Sequence, residues 1–394
     1  MPTDQPPTLP FPDALSAAHC EQVRESIRQQ IEASGGSVSF AEFMQHALYS
    51  PGLGYYTAGS TKFGEAGDFI TAPEVSSVFG HVVARQCAEV LDQIDQGAIL
   101  EFGAGSGKLA ADVLSRLDTL DMLPVAYRIL EVSADLRERQ ESFLTRAIPD
   151  LVHLVSWIET PPSEHRGVVL ANEVLDALPV ERFVRRESGI MQQRVCVAAD
   201  GFAFEEAPAP RLLERAVLDL ETDLGAALPG GYTSEICVAA PNWIARLGGG
   251  LIEGMAFLFD YGVSRREYYA AARSDGWLRC HFRHHAHNNP LILPGIQDLT
   301  AWVDFTAVAA AAVGAGLEVA GYATQAQFLM AGGLEAEMCD FAELSLEEQL
   351  QLSQQIKTLT LPGEMGEHFK CMALRKGINR TPGAFTLADR THTL

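Results

Sequence analysis

Short apolar runs alternate along this chain with longer segments in which apolar residues recur every three or four positions. The runs predict buried strands at about residues 98–102, 126–132, 151–155, 167–171 and 255–260. The segments between them predict helices, and strands that alternate with helices form a parallel, doubly wound α/β sheet. Two later apolar runs, at 317–323 and 369–375, are candidates to complete that sheet.

The residues before the first strand predict further helices. One is predicted over 21–32, where apolar residues recur at a spacing of four, and a second opens at Ser39, because Ser39 and Glu42 form a capping-box pattern. Residues 51–75, which are rich in Gly, Tyr and Thr, predict an ordered loop, and 75–94 predicts a long helix that leads into the first strand.

The interval 180–250 is too long for a plain crossover between two strands of one sheet. It contains three strand patterns and one helix pattern, at 182–186, 192–197, 202–205 and 212–224. We therefore predict an inserted α+β subdomain in this interval.

The most informative turn follows the first predicted strand. That strand ends in an acidic residue, Glu101, and the chain then passes through three glycines into a helical pattern. These glycines are Gly103, Gly105 and Gly107. A turn of residues without Cβ lets a ligand lie against bare backbone at a helix N-terminus. The sequence therefore predicts a ligand site at this turn.

Two nucleotide motifs fail to match the turn. A phosphate-binding P-loop does not fit, because Phe102 stands at its first glycine position and Leu109 at its Ser/Thr position. A dinucleotide fingerprint does not fit, because Lys108 stands where a small residue is needed. The remaining pattern, E-x-G-x-G-x-G, resembles class I S-adenosylmethionine (SAM) methyltransferases. That resemblance implies that the loop accepts the amino-acid end of SAM, and that Glu101 meets the ammonium or, through water, the sulfonium side.

A second carboxylate, Glu131, follows the second predicted strand. A carboxylate at that place holds a ribose diol by a bidentate hydrogen bond, and we expect the adjacent Val132 to contact the same cofactor. The alternative for Glu131 alone is a solvated acid at the start of a helix. The third strand is predicted to lead into Ser156 and Trp157, which we expect to flank the adenine ring.

Longer segments, in the same order along the chain, resemble the MidA family. They include GDFITAPE at 67–74, EFGAGSG at 101–107, EVSADLRERQ at 131–140, ANEVLDALPVERF at 171–183 and PGIQDLTAWVDF at 294–305. The mitochondrial members of that family are protein-arginine methyltransferases that assist assembly of respiratory complex I. The resemblance covers about residues 35–375 and implies a Rossmann-like sheet of seven strands, the last antiparallel. This chain departs from the family at Val174-Leu175, where bulky aromatics are common, and at Trp302, where histidine is expected.

The resemblance also places a lid over the cofactor. It implies that the segment 67–76 folds over the site, with Asp68, Phe69, Thr71 and Glu74 facing the cofactor or the substrate. The alternative is a purely structural turn. Asp260, at the end of the fifth strand, has the same two interpretations: it lines the mouth of the substrate site, or it only packs.

Three polar residues after the fourth strand are the candidates for acceptor chemistry: Asn172, Glu173 and Asp176. If residues 173–176 form a helical turn, Glu173 and Asp176 project together and can hold a planar guanidinium by bidentate bonds. Arginine has a pKa above roughly 12, so its nitrogen needs such help to act as a nucleophile. The alternative is that Asn172 is an N-cap and the two acids only favour a helix start.

Composition limits the partners. The chain has 29 Lys and Arg against 51 Asp and Glu, a formal net charge of −22, which argues against a nucleic-acid partner and suits a basic protein or peptide. No apolar run is long enough to cross a bilayer, so we expect no membrane partner. The Pro-rich residues 1–12 match neither a signal peptide nor a transit peptide. Seven dispersed cysteines without C-x-x-C spacing predict reduced thiols in a cytoplasmic protein.

One histidine-rich segment superficially suggests a metal site. Its histidines are His281, His284, His285 and His287. No carboxylate or thiolate of fitting spacing accompanies them, so we predict a polar loop and no metal.

Together, the residues and the resemblance to the MidA family predict a cytoplasmic SAM-dependent methyltransferase that acts on an arginine of a partner protein. The resemblance implies a subunit of complex I as that partner. Two alternatives stay open: a non-catalytic assembly chaperone of the same fold, and an NAD(P)-dependent oxidoreductase. The chain is expected to be a monomer or a homodimer. The predicted division of the chain is a leader (1–12), an N-terminal helical region with the covering loop (13–85), the SAM-binding core (86–180), the insertion (181–250), the rest of the core (251–380) and a tail (381–394).

Overall fold

The computed structural model describes residues 9–58, 70–386 and 389–394. Its helices are α1 (Ala14–Ala33), α2 (Phe40–Tyr49), α3 (Ala72–Val75), α4 (Ser77–Leu91), α5 (Lys108–Thr119), α6 (Ala134–Ala147), α7 (Arg211–Leu224), α8 (Ala240–Gly250), α9 (Arg265–Tyr268), α10 (Phe305–Gly314), α11 (Gln325–Ala331), α12 (Leu346–Thr360) and α13 (Met365–His368).

The strands are β1 (Ser37–Ser39), β2 (Ala98–Phe102), β3 (Tyr127–Leu130), β4 (Val155–Ile158), β5 (His165–Asn172), β6 (Glu181–Arg186), β7 (Gly189–Ala198), β8 (Gly201–Pro208), β9 (Thr233–Ile236), β10 (Leu251–Val263), β11 (Leu278–Phe282), β12 (His285–His287), β13 (Asp298–Ala301), β14 (Val303–Asp304), β15 (Glu318–Thr324) and β16 (Phe369–Lys376).

The chain forms two compact units, each assembled from three separate stretches. Unit 1 takes the stretch before residue 70 together with 176–240 and 265–302, and unit 2 takes 70–175, 241–264 and 303–394. The domain boundaries drawn above from the sequence follow the chain instead, and they stay a prediction.

Unit 2 is built on a sheet with the strand order β15-β16-β10-β5-β2-β3-β4, and the short β14 pairs with the end of β10. The five neighbouring strands β10, β5, β2, β3 and β4 run parallel to one another. β16 is antiparallel to both of its neighbours, β10 and β15. This confirms the predicted seven-stranded α/β sheet with an antiparallel last strand.

The core of unit 2 forms where α4 and α5 bury their apolar faces. The four apolar residues of α5 that define its helical period, Leu109, Val113, Leu114 and Leu117, are all buried. Phe259 of β10 lies against Phe79 of α4 and Phe328 of α11, with ring centroids 5.3 and 5.1 Å apart. Each such side chain contributes about 1.5–3 kcal/mol on burial, so the helix next to the glycine turn is held firmly.

Unit 1 contains an antiparallel sheet, β1-β7-β6-β9, with β8 paired to β7, and a second sheet, β12-β11-β13. The strands and the helix predicted between 180 and 225 are present, as β6, β7, β8 and α7. The predicted capping box also forms, because Glu42 N–H donates to Ser39 Oγ and Ser39 N–H donates to Glu42 Oε2. It fixes the start of α2, whose aromatic residues Phe40 and Phe43 enter the core of this unit.

Two predicted elements differ in position. The strand predicted at 151–155 is β4, Val155–Ile158, and a single 3₁₀ turn, Val152–Leu154, occupies most of the predicted segment. The apolar side chains of that turn pack against the core of unit 2, which explains why a buried run was visible in the sequence. The long helix predicted at 75–94 is α3 and α4, separated by the extended residue Ser76, whose hydroxyl caps α4.

Among the helices formed by described residues, none combines the length and the apolar character that a membrane span requires. Within those same residues, no three His, Cys, Asp or Glu side chains converge as a metal site would require.

Candidate cofactor site

The strand order of unit 2 reverses between β2 and β5. β3 and β4 lie on one side of β2, whereas β5 and β10 lie on the other side. In an open α/β sheet, ligands bind outside the carboxyl ends of the strands at such a switch point. The turn after β2, the residue after β3 and the last residue of β5 therefore share one edge of the sheet, which brings together Gly103, Glu131 and Asn172.

The glycine turn has the backbone conformation that its sequence requires. Gly103, Gly105 and Gly107 have φ angles of +64°, +55° and +87°, in the left-handed region that favours glycine. Gly107 N–H donates to the Ala104 carbonyl at 2.8 Å, and Gly107 is the N-cap residue of α5. The first N–H groups of a helix have no partner within it, so the start of α5 can accept a polar ligand.

Glu101 is turned toward the interior of unit 2. Its side chain is buried, and its Oε2 accepts a 2.7 Å hydrogen bond from the hydroxyl of Tyr127. Burial raises the pKa of Glu101 to about 7, against a smaller lowering by the Tyr127 hydrogen bond. Its contact with a cofactor stays a prediction.

Glu131 stands directly after β3 and is held from two sides. Ser133 N–H donates to its Oε1 at 2.9 Å, and Gln140 Nε2 donates to its Oε2 at 3.4 Å. Burial raises the pKa of Glu131, although the bonds from Ser133 and Gln140 act in the opposite direction. Its neighbour Val132 is 65% exposed. The carboxylate is thus fixed in place, and each oxygen keeps accepting capacity for a diol.

Gln140, on α6, is a residue of this site that no cofactor-binding motif in the sequence marks. Its amide nitrogen donates to the Gly105 carbonyl at 2.9 Å as well as to Glu131, and its amide oxygen accepts from Trp157 Nε1 at 2.7 Å. The sequence did contain an indication of its burial. Gln140 precedes the buried Leu144 by one helical turn and therefore lies on the same, core-facing side of α6. A polar residue on the core side of a helix needs partners.

Ser156 and Trp157, both predicted near adenine, occupy successive positions of β4. Successive residues in a strand point to opposite faces of the sheet. Trp157 is on the face of Gln140, and Ser156 is exposed. Their contact with adenine stays a prediction, with Trp157 the better placed of the two.

The predicted lid lies partly outside the described residues, which exclude Asp68 and Phe69. Thr71 is the N-cap residue of α3, and Glu74 of that short helix accepts a hydrogen bond from the hydroxyl of Ser106 in the glycine turn. This bond fixes α3 to the turn. The cofactor contact of Asp68 and Thr71 stays a prediction.

The helical turn predicted at 173–176 does not form. Glu173 has a φ of +53°, its N–H donates to the Phe259 carbonyl at 2.8 Å, and Leu175 N–H donates to Asp260 Oδ2 at 2.9 Å. These bonds tie the chain after β5 to β10 and prevent a helix. The prediction that Glu173 and Asp176 project together from one helical turn was therefore wrong.

The other candidates of that loop have separate surroundings. Asn172 Nδ2 donates to Glu173 Oε1 at 3.3 Å, while buried Asn172 Oδ1 has no hydrogen-bond partner among the residues described. Asp176 is buried in unit 1, where its carbonyl accepts from Ala301 N–H at 3.0 Å. Asp260 holds the backbone at Leu175, in line with its packing role.

Two further sequence features have a structural explanation. The histidine segment is the hairpin of β11 and β12, and its turn residues Arg283 and His284 both adopt left-handed φ angles. Trp302, the departure from the family pattern, stacks on Trp277 with ring centroids 4.2 Å apart.

Known proteins resemble the chain over most of its length. Residues 82–323 match the model of a family of S-adenosyl-L-methionine-dependent methyltransferases. The Drosophila melanogaster homolog of mitochondrial protein arginine methyltransferase NDUFAF7 is 29% identical, over 93% of this chain and 88% of its own. The Homo sapiens protein of that name is 28% identical, over 86% of this chain and 80% of its own.

A crystal structure with the same fold contains a ligand. It is a COG1565 superfamily member from Burkholderia thailandensis bound to S-adenosylhomocysteine, with a TM-score of 0.92 and 37% identity, covering 98% of this chain and 100% of that one. The fold, the glycine turn and the fixed acid after β3 agree with these matches, and SAM is the cofactor. The chain belongs to the family of SAM-dependent methyltransferases that its residues 82–323 match.

Proposed function

We propose that this methyltransferase acts on the guanidinium group of an arginine side chain in a partner protein. The observation that carries the proposal is the placement of the Glu173 carboxylate at the switch-point edge of the sheet, one residue after β5. The relatives named protein arginine methyltransferase support the same acceptor. Following the resemblance to the MidA family, we propose a cytoplasmic enzyme and a complex I subunit as its partner.

The cofactor contacts proposed for this chain follow from the site. The backbone of Gly103, Gly105 and Gly107 receives the amino-acid end, Glu131 holds the ribose diol, and Val132, Ser156 and Trp157 lie on the adenine side. Asn172 Oδ1, a buried acceptor with no hydrogen-bond partner among the described residues, is suited to a bound N–H group. Thr71, at the N-terminus of α3, and the buried Glu101 of β2 are further proposed cofactor contacts, as is Asp68, which lies outside the described residues.

Glu173 is proposed to bind the acceptor. Its left-handed backbone is held by the bond from its N–H to Phe259, and such strain is typical of functional positions. A carboxylate pairs with two guanidinium N–H groups and draws positive charge toward the nitrogens it contacts. The remaining nitrogen is then a better nucleophile, and the carboxylate can accept the proton that this nitrogen loses. When bound, SAM supplies the methyl group.

The test is the Glu173→Gln variant in a labelled-methyl transfer assay, with lysate from a strain lacking the protein as acceptor. Glutamine keeps the size and removes the charge, so we expect transfer to arginine to fall by about two orders of magnitude, or about 3 kcal/mol. SAM affinity should remain nearly that of the wild type.

The matched control is Glu253→Gln. Glu253 lies near the amino end of β10, where it pairs with the exposed Arg166 at 2.6 Å, and such surface pairs contribute little. Wild-type transfer by Glu173→Gln, with normal SAM binding, would refute the proposed role of Glu173. Label on lysine or on a small molecule, and none on arginine, would refute the acceptor.

A further inference from the structure

The side chain of Gln140 is in contact with three separate parts of the proposed cofactor site. It is fully buried on α6, and both ends of its amide are used. Its nitrogen donates to the Gly105 carbonyl at 2.9 Å and to Glu131 Oε2 at 3.4 Å. Its oxygen accepts from Trp157 Nε1 at 2.7 Å. Its three partners come from the segments that follow β2 and β3 and from β4.

The chemistry of these partners suits a neutral amide. The Gly105 carbonyl and the Glu131 carboxylate need a donor, whereas the Trp157 indole needs an acceptor, and a glutamine amide offers both at fixed spacing. A glutamate here would place a second negative charge beside Glu131 and would lose both donated bonds. An apolar residue would leave a buried carboxylate and a half-buried indole N–H with fewer partners, and a buried group left unsatisfied costs about 1–3 kcal/mol.

We propose that Gln140 is a positioning residue that sets the glycine turn, Glu131 and Trp157 in the arrangement that binds the cofactor. The inference rests on the cofactor contacts proposed above for those three groups. Gln140 itself acts only through them. Its bond to the Gly105 carbonyl fixes the turn, and its bond to Glu131 orients the carboxylate toward a diol. Its bond from Trp157 holds the indole ring in one orientation. The site is thus organised before the cofactor arrives, which lowers the entropic cost of binding.

The experiment measures the Kd of S-adenosylhomocysteine by calorimetry for Gln140→Leu and for Gln86→Leu. Gln86 is a matched control, because it is another buried glutamine of unit 2 whose amide bonds two backbone groups, the Gly332 carbonyl and Ala384 N–H. Both variants lose buried amide bonds and should have lower Tm values. We expect the Kd to rise about 30-fold for Gln140→Leu and to stay within about threefold for Gln86→Leu, well below either Tm.

A second readout separates positioning from a loss of stability. Gln140 lowers the pKa of Glu131 by its hydrogen bond, so Gln140→Leu should move the acid limb of the Kd–pH profile to higher pH. Gln86→Leu should leave that limb in place. An unchanged acid limb and an unchanged Kd for Gln140→Leu would overturn the inference, as would equal rises of the Kd in both variants.

A third variant, Glu131→Gln, distinguishes a failure of this inference from a failure of the proposed ribose contact on which it rests. Glu131→Gln should raise the Kd of S-adenosylhomocysteine strongly, because it removes the charge that holds the diol. If Glu131→Gln weakens binding and Gln140→Leu does not, the positioning role is refuted and the proposed contact stands. If neither variant weakens binding, the proposed ribose contact fails, and the positioning role fails with it.

Discussion

The hydroxyl of Tyr127 donates a 2.7 Å hydrogen bond to Oε2 of Glu101, although both side chains are buried between the sheet and α4. A carboxylate with a single such donor is poorly compensated for the loss of water. Burial accordingly raises the pKa of Glu101 from its ordinary value of 4.5 to about 7. Between pH 4.5 and about 7, Glu101 of the folded protein therefore keeps a proton that Glu101 of the unfolded chain has released.

The Glu101→Gln variant tests this linkage. Because the folded-state pKa is raised, the Glu101 side chain lowers the free energy of unfolding progressively as the pH rises from 4.5 to about 7. We expect Glu101→Gln to gain stability over the wild type across that range, by up to about 3 kcal/mol. Urea unfolding at several pH values measures the difference. A difference that does not change with pH would contradict the raised pKa.

A second prediction concerns Glu337, which joins the segment after α11 to α4 and α5. Its side chain accepts from Arg85 and His81 of α4 and from Arg116 of α5, the last at 2.8 Å. Burial alone raises its pKa, but the bonds from His81 and Arg85 and the charges of Arg116 and Arg85 outweigh it and lower the pKa to about 2. Removing one charge leaves the arginines uncompensated.

We expect Glu337→Gln to destabilise unit 2 by about 3 kcal/mol at neutral pH, measured by urea unfolding. Because the folded-state pKa is lowered, this contribution is complete above pH 4.5 and is lost as the pH falls toward 2. The variant and the wild type should therefore converge in acid. Glu335→Gln is the control, since Glu335 is exposed in the same segment. Equal effects of the two substitutions would show that the ion pairs contribute nothing.

A third prediction concerns the glycine turn. Gly105→Val places a β-branched side chain at a φ of +55° on the surface that we propose for the cofactor. We expect the Kd of S-adenosylhomocysteine to rise about 100-fold or more. Gly225→Val is the control, because Gly225, at the C-terminus of α7, has a φ of +71° and open space around a Cβ. A similar rise in the Kd for both variants would mean that backbone strain, and not the site, causes the loss.

A fourth prediction concerns the choice of cofactor. Calorimetric titration should find that the protein binds SAM and S-adenosylhomocysteine, and that it binds NAD at least about 100-fold more weakly. The reason is Lys108, which stands where a dinucleotide fingerprint has a small residue. Tight binding of NAD would argue for a dual-cofactor site and against the interpretation of the glycine turn.

The elements that could be predicted from the sequence are those whose conformation depends only on the residues that lie next to one another in the chain. β2 is buried on both faces of a parallel sheet, so it appears as an apolar run, interrupted only by Glu101, with the bounds observed. The glycine turn was predictable because only glycine adopts its φ angles without strain. The prediction placed β4 too early in the sequence because β4 is an edge strand with an exposed Ser156. Apolar and polar residues alternate in β4, so the more apolar segment that forms the 3₁₀ turn was predicted as the strand instead.

What could not be predicted depends on contacts distant in sequence. The conformation of Glu173 is fixed by the carbonyl of Phe259, 86 positions later in the chain, and no local pattern marks a glutamate for a left-handed φ. Gln140 was missed for a similar reason. Its partners are contributed by three other segments, so its helix shows only a polar residue on a buried face.

The antiparallel strand β16 has a consequence for synthesis of the protein on the ribosome. β16 separates β10 from β15, so these two strands have no common partner until residues 369–376 are available. A nascent chain released before that point carries unpaired strand edges, which are sites of association with other chains. The sheet can therefore close only after residues 369–376 have been synthesised, and truncation before residue 369 should yield aggregates and not a smaller enzyme.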